Sequence, residues 1–72
     1  GIKDQFDEKI IRGNIKQGKF SVLYLRNGKL ISIDCINQPK DFIAGKKLIQ
    51  KKKALKISEL QNPAVNLKEL IK

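Results

Sequence analysis

The 72-residue sequence predicts an α+β domain: a small antiparallel β-sheet of three or more strands with a central hairpin, packed against one main helix and short C-terminal helical turns. Three observations carry that expectation. Two β-rich runs, "KFSVLYLR" and "KLISIDCI", flank Asn27-Gly28, the dipeptide best suited to a two-residue type I′ hairpin. After Pro39 the apolar period lengthens from that of a strand to that of a helix, with lysines on the opposite side. Upstream, the apolar pair Ile10-Ile11 is closed by Gly13-Asn14 and reads as a further short strand with its stop.

In chain order, the first strand is expected over Glu8–Arg12, and "IKQG" is a turn. The hairpin comes next. With Arg26 and Lys29 as its closing pair, Tyr24 opposes Ile31, Val22 opposes Ile33 and Phe20 opposes Cys35. Those six residues form one apolar face, expected to pack under the helix at 40–52, so that an aspartate at Val22 costs several kcal/mol. The other face holds Ser21, Leu23, Leu25, Leu30, Ser32 and Asp34, and its three leucines hint that something else covers it. Asp34, Asn37 and Pro39 are expected to build the corner from strand to helix, Asn37 by capping backbone groups and Pro39 by pre-setting φ.

Within "KDFIAGKKLIQKKK", helical spacing gathers Phe42, Gly45, Leu48 and Ile49 on the inner side, with Ala44 beside them. Lys46, Lys47, Gln50, Lys51 and Lys53 fall on the outer side. Gly45 weakens the helix by about 1 kcal/mol relative to alanine, but on the inner face it permits close approach to a sheet. Ser58 is the expected cap of a single turn that ends before Pro63, and Asn66 the cap of a last one.

Composition narrows the function classes. A chain this short makes one domain and buries about 60% of its unfolded surface, and its 40% apolar content suffices for a core. The single cysteine, Cys35, allows no internal disulfide and suggests a reducing, cytoplasmic setting. No apolar run approaches the roughly 18 residues of a membrane span. Net charge is +9, and 14 of the 16 cations are lysines. Such a field attracts nucleic acid or acidic proteins, or simply solvates the surface. The scarcity of arginine argues against sequence-specific reading of bases.

Catalytic chemistry finds few footholds. Histidine is absent, which removes Ser-His-Asp and Cys-His arrangements and histidine-ligated zinc. Cys35 lies on the expected core face, where a small packed hydrophobe is the simpler reading. Asp4, Asp7 and Glu8 form an acidic cluster read as solvated surface charge. The scattered glycines make neither a phosphate loop nor a dinucleotide fingerprint. The isolated chain therefore reads as a non-enzyme. Phe6, Phe20, Tyr24 and Phe42 are its aromatics, and three of them are expected to face inward, leaving no platform for stacked bases.

The stretch "FSVLYLRNGKLISIDCINQPKDFIAGKKLI" resembles the C-terminal domain of FAD-dependent, NAD(P)H-using ferredoxin reductases, the enzymes that serve ring-hydroxylating dioxygenases and cytochromes P450 and are related to apoptosis-inducing-factor-like flavoproteins. The matching residues are Arg12-Gly13, Phe20-Ser21, Tyr24-Leu25, Gly28, Asp34, Asn37, Pro39, Asp41-Phe42, Lys46-Lys47 and Leu48-Ile49, with a closing "LKELI". The family's usual Trp-containing strand has no counterpart here, and Gly1-Ile2 matches the point just after it. The resemblance thus implies a truncated C-terminal domain of a larger flavoprotein. It further implies FAD and NAD(P)H held by other domains of the same parent, and none held by this chain. The domain would shield the flavin side and help to dock an acidic iron–sulfur ferredoxin, with Lys46, Lys47, Lys51 and Lys53 as the candidate docking residues. A small basic nucleic-acid-binding domain is the alternative.

Overall fold

In the computed structural model, which describes residues 5–71, Asn27 and Gly28 both adopt positive φ, 53° and 78°. That is the backbone of a type I′ turn, whose twist matches the flanking strands. It joins β2 (Lys19–Arg26) to β3 (Lys29–Ile36), and β1 (Glu8–Asn14) pairs antiparallel on the far side of β2. α1 (Pro39–Lys51) crosses β3, α2 (Ile57–Gln61) packs on β1, and a closing 3₁₀ turn (Leu67–Ile71) packs on α1. The expected α+β architecture is present: a sheet order β1-β2-β3 among the described residues, with helices on one face.

The hairpin register departs from the sequence expectation. Arg26 does oppose Lys29, and Leu25 opposes Leu30, but a bulge follows. Tyr24 then pairs with Ser32, Leu23 with Ile33, Val22 with Asp34 and Ser21 with Cys35, which leaves Ile31 as the extra residue. The bulge turns over the face that β2 presents to α1. Leu23 and Leu25 are completely buried and Ser21 joins them, whereas Phe20, Val22 and Tyr24 lie on the outer face. On β3, Ile33 is buried and Cys35 packs against the core as expected. The physical reason is a balance of side chains. Three leucines bury more apolar surface without a polar atom, while Tyr24 keeps its hydroxyl at the surface, donating to Asp34 Oδ2 at 3.2 Å. Something does cover those leucines, and it is this domain's own helical layer, whose Leu48, Leu60 and Leu67 share the core with them.

The core gathers Ile10, Leu23, Leu25, Leu30, Ile33, Ala44, Leu48, Leu60 and Leu67. At its centre α1 comes so close to β3 that a Cβ on Gly45 would lie 2.7 Å from Ile33 Cδ1. Gly45 is therefore the contact point it was expected to be. Gly13 has φ +103°, and a Cβ there would meet the Lys19 carbonyl oxygen at 2.5 Å, so β1 and β2 separate into their connecting turn where only glycine fits.

The corner before α1 holds two of its three expected residues. Asn37 takes φ 55° and donates from Nδ2 to the Gly18 carbonyl at 2.9 Å, tying the corner to the first turn. Pro39 is the first residue of α1, where its missing N–H costs nothing. Asp34 sits back on the sheet, bonded to Tyr24. Asn66 caps the closing turn, its Oδ1 accepting from the Lys68 amide at 3.0 Å. Ser58 falls inside α2 instead of capping it, since that helix starts at Ile57 after Lys56. Of the acidic cluster, Asp4 lies outside the described residues. Asp7 accepts from the Asn27 amide at 2.9 Å and steadies the hairpin tip, so it is more than solvated charge.

Candidate functional site

The outward side of α1 is the most distinctive surface of the chain. Residues 40–53 carry six lysines and one aspartate, a local +5. Lys46, Lys47 and Lys51 are exposed on the helix, two of them around an apolar centre that the sequence had not indicated. Phe42, expected on the inner side, is 43% exposed, and Ile43 is 60% exposed. Lys46 Nζ lies 5.2 Å from the centroid of the Phe42 ring, within reach of a cation–π contact. On the other flank, Lys40, Ile43, Lys47 and Lys68 line a groove of about 350 Å³ between α1 and the closing turn. Lys53 does not share this surface. The chain reverses at Lys52, which adopts φ 52°, and Lys53 Nζ donates to the Leu70 carbonyl at 3.1 Å.

Phe42 is displaced outward because Asp41 takes the inner position. Arg12, only 4% exposed, anchors a buried polar cluster: its Nε lies 3.4 Å from Asp41 Oδ2, and the Ser21 hydroxyl donates to the same oxygen at 3.0 Å. The rest of the Arg12 guanidinium donates to the carbonyls of Leu60 at 3.0 Å and Val65 at 2.5 Å. One side chain on β1 thus fixes the first turn of α1 and the segment after α2, so the lysine face has a set orientation on the sheet. Periodicity alone missed this cluster because it assigns charged residues to water. The signal lay in the pairs Arg12-Gly13, Phe20-Ser21 and Asp41-Phe42, whose polar members belong to the cluster.

Cys35 borders the cluster, its sulfur 3.4 Å from Ser21 Oγ. Burial pushes its thiol up from the ordinary value; the Ser21 hydrogen bond works against this, and Asp41 and Asp34 add to the rise. The folded state consequently holds the proton more tightly than the unfolded one. That contribution to stability is complete below the ordinary thiol range and is lost as pH rises through the folded value. We expect iodoacetamide to alkylate Cys35 more slowly in the folded chain than in urea, with the folded pH–rate profile displaced to higher pH. Equal profiles would show an open thiol.

The start of α1 does not have the form of a pyrophosphate site. A helix N-terminus that holds a pyrophosphate needs free N–H groups and close backbone approach, but α1 opens on Pro39, which has no N–H, with Gln38 before it. Among the described residues no cluster of histidine, cysteine and carboxylate has metal-binding form, and no helix is long and apolar enough to cross a membrane. The exposed Phe6 and Phe42 and the outward Phe20 and Tyr24 also remove the argument that aromatic burial excludes base stacking.

Comparison with known proteins weighs on that choice. The pattern of the family described as Reductase C-terminal matches residues 1–71. A ferredoxin–NAD(P)(+) reductase of Sphingomonas sp. is 38% identical over 52 residues, which are 72% of this chain and 13% of that protein. The ferredoxin reductase subunit of 5,5'-dehydrodivanillate O-demethylase from Sphingobium sp. is 34% identical over 97% of this chain and 17% of its own length. The crystal structure of the ferredoxin reductase for the CYP199A2 system of Rhodopseudomonas palustris superposes with a TM-score of 0.85 at 27% identity, again over 97% of this chain and 17% of that one. The chain spans less than a fifth of the length of these relatives. Nothing in them supports a nucleic-acid-binding domain.

Proposed function

The chain belongs to the Reductase C-terminal family, and from that premise we propose that it is the non-catalytic C-terminal domain of an FAD-dependent NAD(P)H:ferredoxin oxidoreductase. In this reading, other domains of the parent hold FAD and NAD(P)H, and this domain shields the flavin side and offers the electron carrier a docking face. The agreement of the whole chain, over 97% of its length at a TM-score of 0.85, with the matching part of a ferredoxin reductase carries the proposal. The surface of α1 supports the docking role. Phe42 and Ile43 supply an apolar centre, and Lys40, Lys46, Lys47 and Lys51 a cationic rim, the arrangement of a protein interface that desolvates at its middle and steers at its edge.

The docking role has a kinetic consequence. In the complete reductase, reversing charge at Lys46, Lys47 and Lys51 with glutamate is expected to slow reduction of an acidic ferredoxin by about tenfold or more at low salt. The difference should narrow as ionic strength rises and screening shortens the reach of the field. Reduction of the flavin by NAD(P)H should be unchanged, since in this reading other domains hold both nucleotides and those lysines face the carrier. Stopped-flow absorbance separates the two steps. An unaltered ferredoxin rate at low salt would return these lysines to plain solvated surface.

A further inference from the structure

The sheet face opposite α1 is largely apolar, although the chain as a whole is one-third charged. Ile11 on β1 pairs directly with Val22 on β2, and Phe20 pairs with Ile36 on β3. Tyr24 continues the row and meets Phe6 edge-on, with ring centroids 5.1 Å apart. Ile11, Ile36 and Phe6 are 45%, 47% and 39% exposed. Asp34, opposite Val22, accepts the Tyr24 hydroxyl, Lys9 and Ser32 flank Tyr24 on either side, and Arg26 stands at the margin. A contiguous outer patch of this kind on a small domain marks an interaction surface.

We propose that this outer face docks onto the polypeptide that precedes the domain in the reductase, its nucleotide-binding part; the inference rests on the function proposed above. Three observations select that occupant. The matched relatives devote more than four-fifths of their length to sequence outside this domain, and the family's description places that sequence before it. The chain reaches β1 along this side: Phe6 already covers Tyr24, and the neighbouring Gln5 and Asp7 bond to Arg26, Leu25 and Asn27 at the hairpin tip. Finally, the sheet has helices on its other face, so docking through the apolar side leaves the lysines of α1 turned away from the parent and open to a soluble carrier. Apolar burial holds one face and charge steers the other.

Hydroxyl-radical footprinting tests the assignment without a variant that could misfold. Oxidation of Phe6 and Tyr24 is compared between the 72-residue chain and the complete reductase, with Phe42 on α1 as the internal reference. The expected result is at least fivefold slower oxidation of Phe6 and Tyr24 in the complete protein and an unchanged rate at Phe42. Equal rates in both proteins would overturn the proposal. Protection that disappears when the complete protein is diluted from dimer to monomer would overturn it as well, by naming a second copy as the occupant. Flavin content of the same preparation, read from its visible absorbance, distinguishes a failure of the reductase reading from a failure of the docking surface. A complementary variant pair, Val22→Lys with Ile36→Lys, should speed proteolytic release of the domain from the complete protein at least tenfold, whereas Ile43→Lys should not. No change in release would also count against the proposal.

Discussion

Replacing Arg12 with methionine is expected to cost the chain about 3–5 kcal/mol, the usual consequence of removing one member of a buried ion pair. Methionine keeps the length and apolar stem of the side chain, so the loss comes from the polar end. Asp41, whose side chain is 17% exposed, would keep the Ser21 hydroxyl but lose its cation. The carbonyls of Leu60 and Val65 would lose their donor in a region that admits little water. Domains of this size have on the order of 5 kcal/mol to lose, so much of the population should unfold at 37 °C. Urea titration followed by circular dichroism measures the loss. The double variant Arg12→Met with Asp41→Leu should recover part of it, because an apolar pair carries no unmatched charge. If the single variant lost less than about 1 kcal/mol, Arg12 would be a surface ion pair in solution.

Leu23→Asp should be comparably severe, and Val22→Asp should not. Leu23 is fully buried in the core with Leu48, Leu60 and Leu67, where an aspartate has no partner. The expected cost is about 4 kcal/mol or more. Burial would raise the pKa of the new carboxyl group, so stability should recover as pH falls and the group becomes neutral. Val22 stands on the outer face, half-buried, opposite Asp34 and Ile11. An aspartate there meets one like charge across the strands and costs about 1–2 kcal/mol. The register read from the sequence makes the opposite prediction, with Val22 the intolerant position. Paired urea titrations decide between the two: a larger loss at Val22 would mean that the bulge after Tyr24 is absent in solution.

The sequence by itself determined what depends on near neighbours. Asn27-Gly28 dictated the hairpin because few other residue pairs accept two successive positive φ values. Pro39 and the apolar spacing after it set the start and inner stripe of α1, with Gly45 at the close approach to the sheet. Asn66 marked the closing turn, and the joint spacing of Arg12-Gly13, Phe20-Ser21 and Asp41-Phe42 pointed to the family. Tertiary structure alone decided which face of β2 is inside. Period two is indifferent to a shift of one residue, and a single bulged residue, Ile31, exchanged Phe20, Val22 and Tyr24 for Ser21, Leu23 and Leu25. It also decided that Asp41 would enter the core and expel Phe42 to the surface. A carboxylate is tolerated there only because Arg12 and Ser21, 29 and 20 residues earlier in the chain, meet it at 3.4 and 3.0 Å, and a pairing between such distant residues has no local signature.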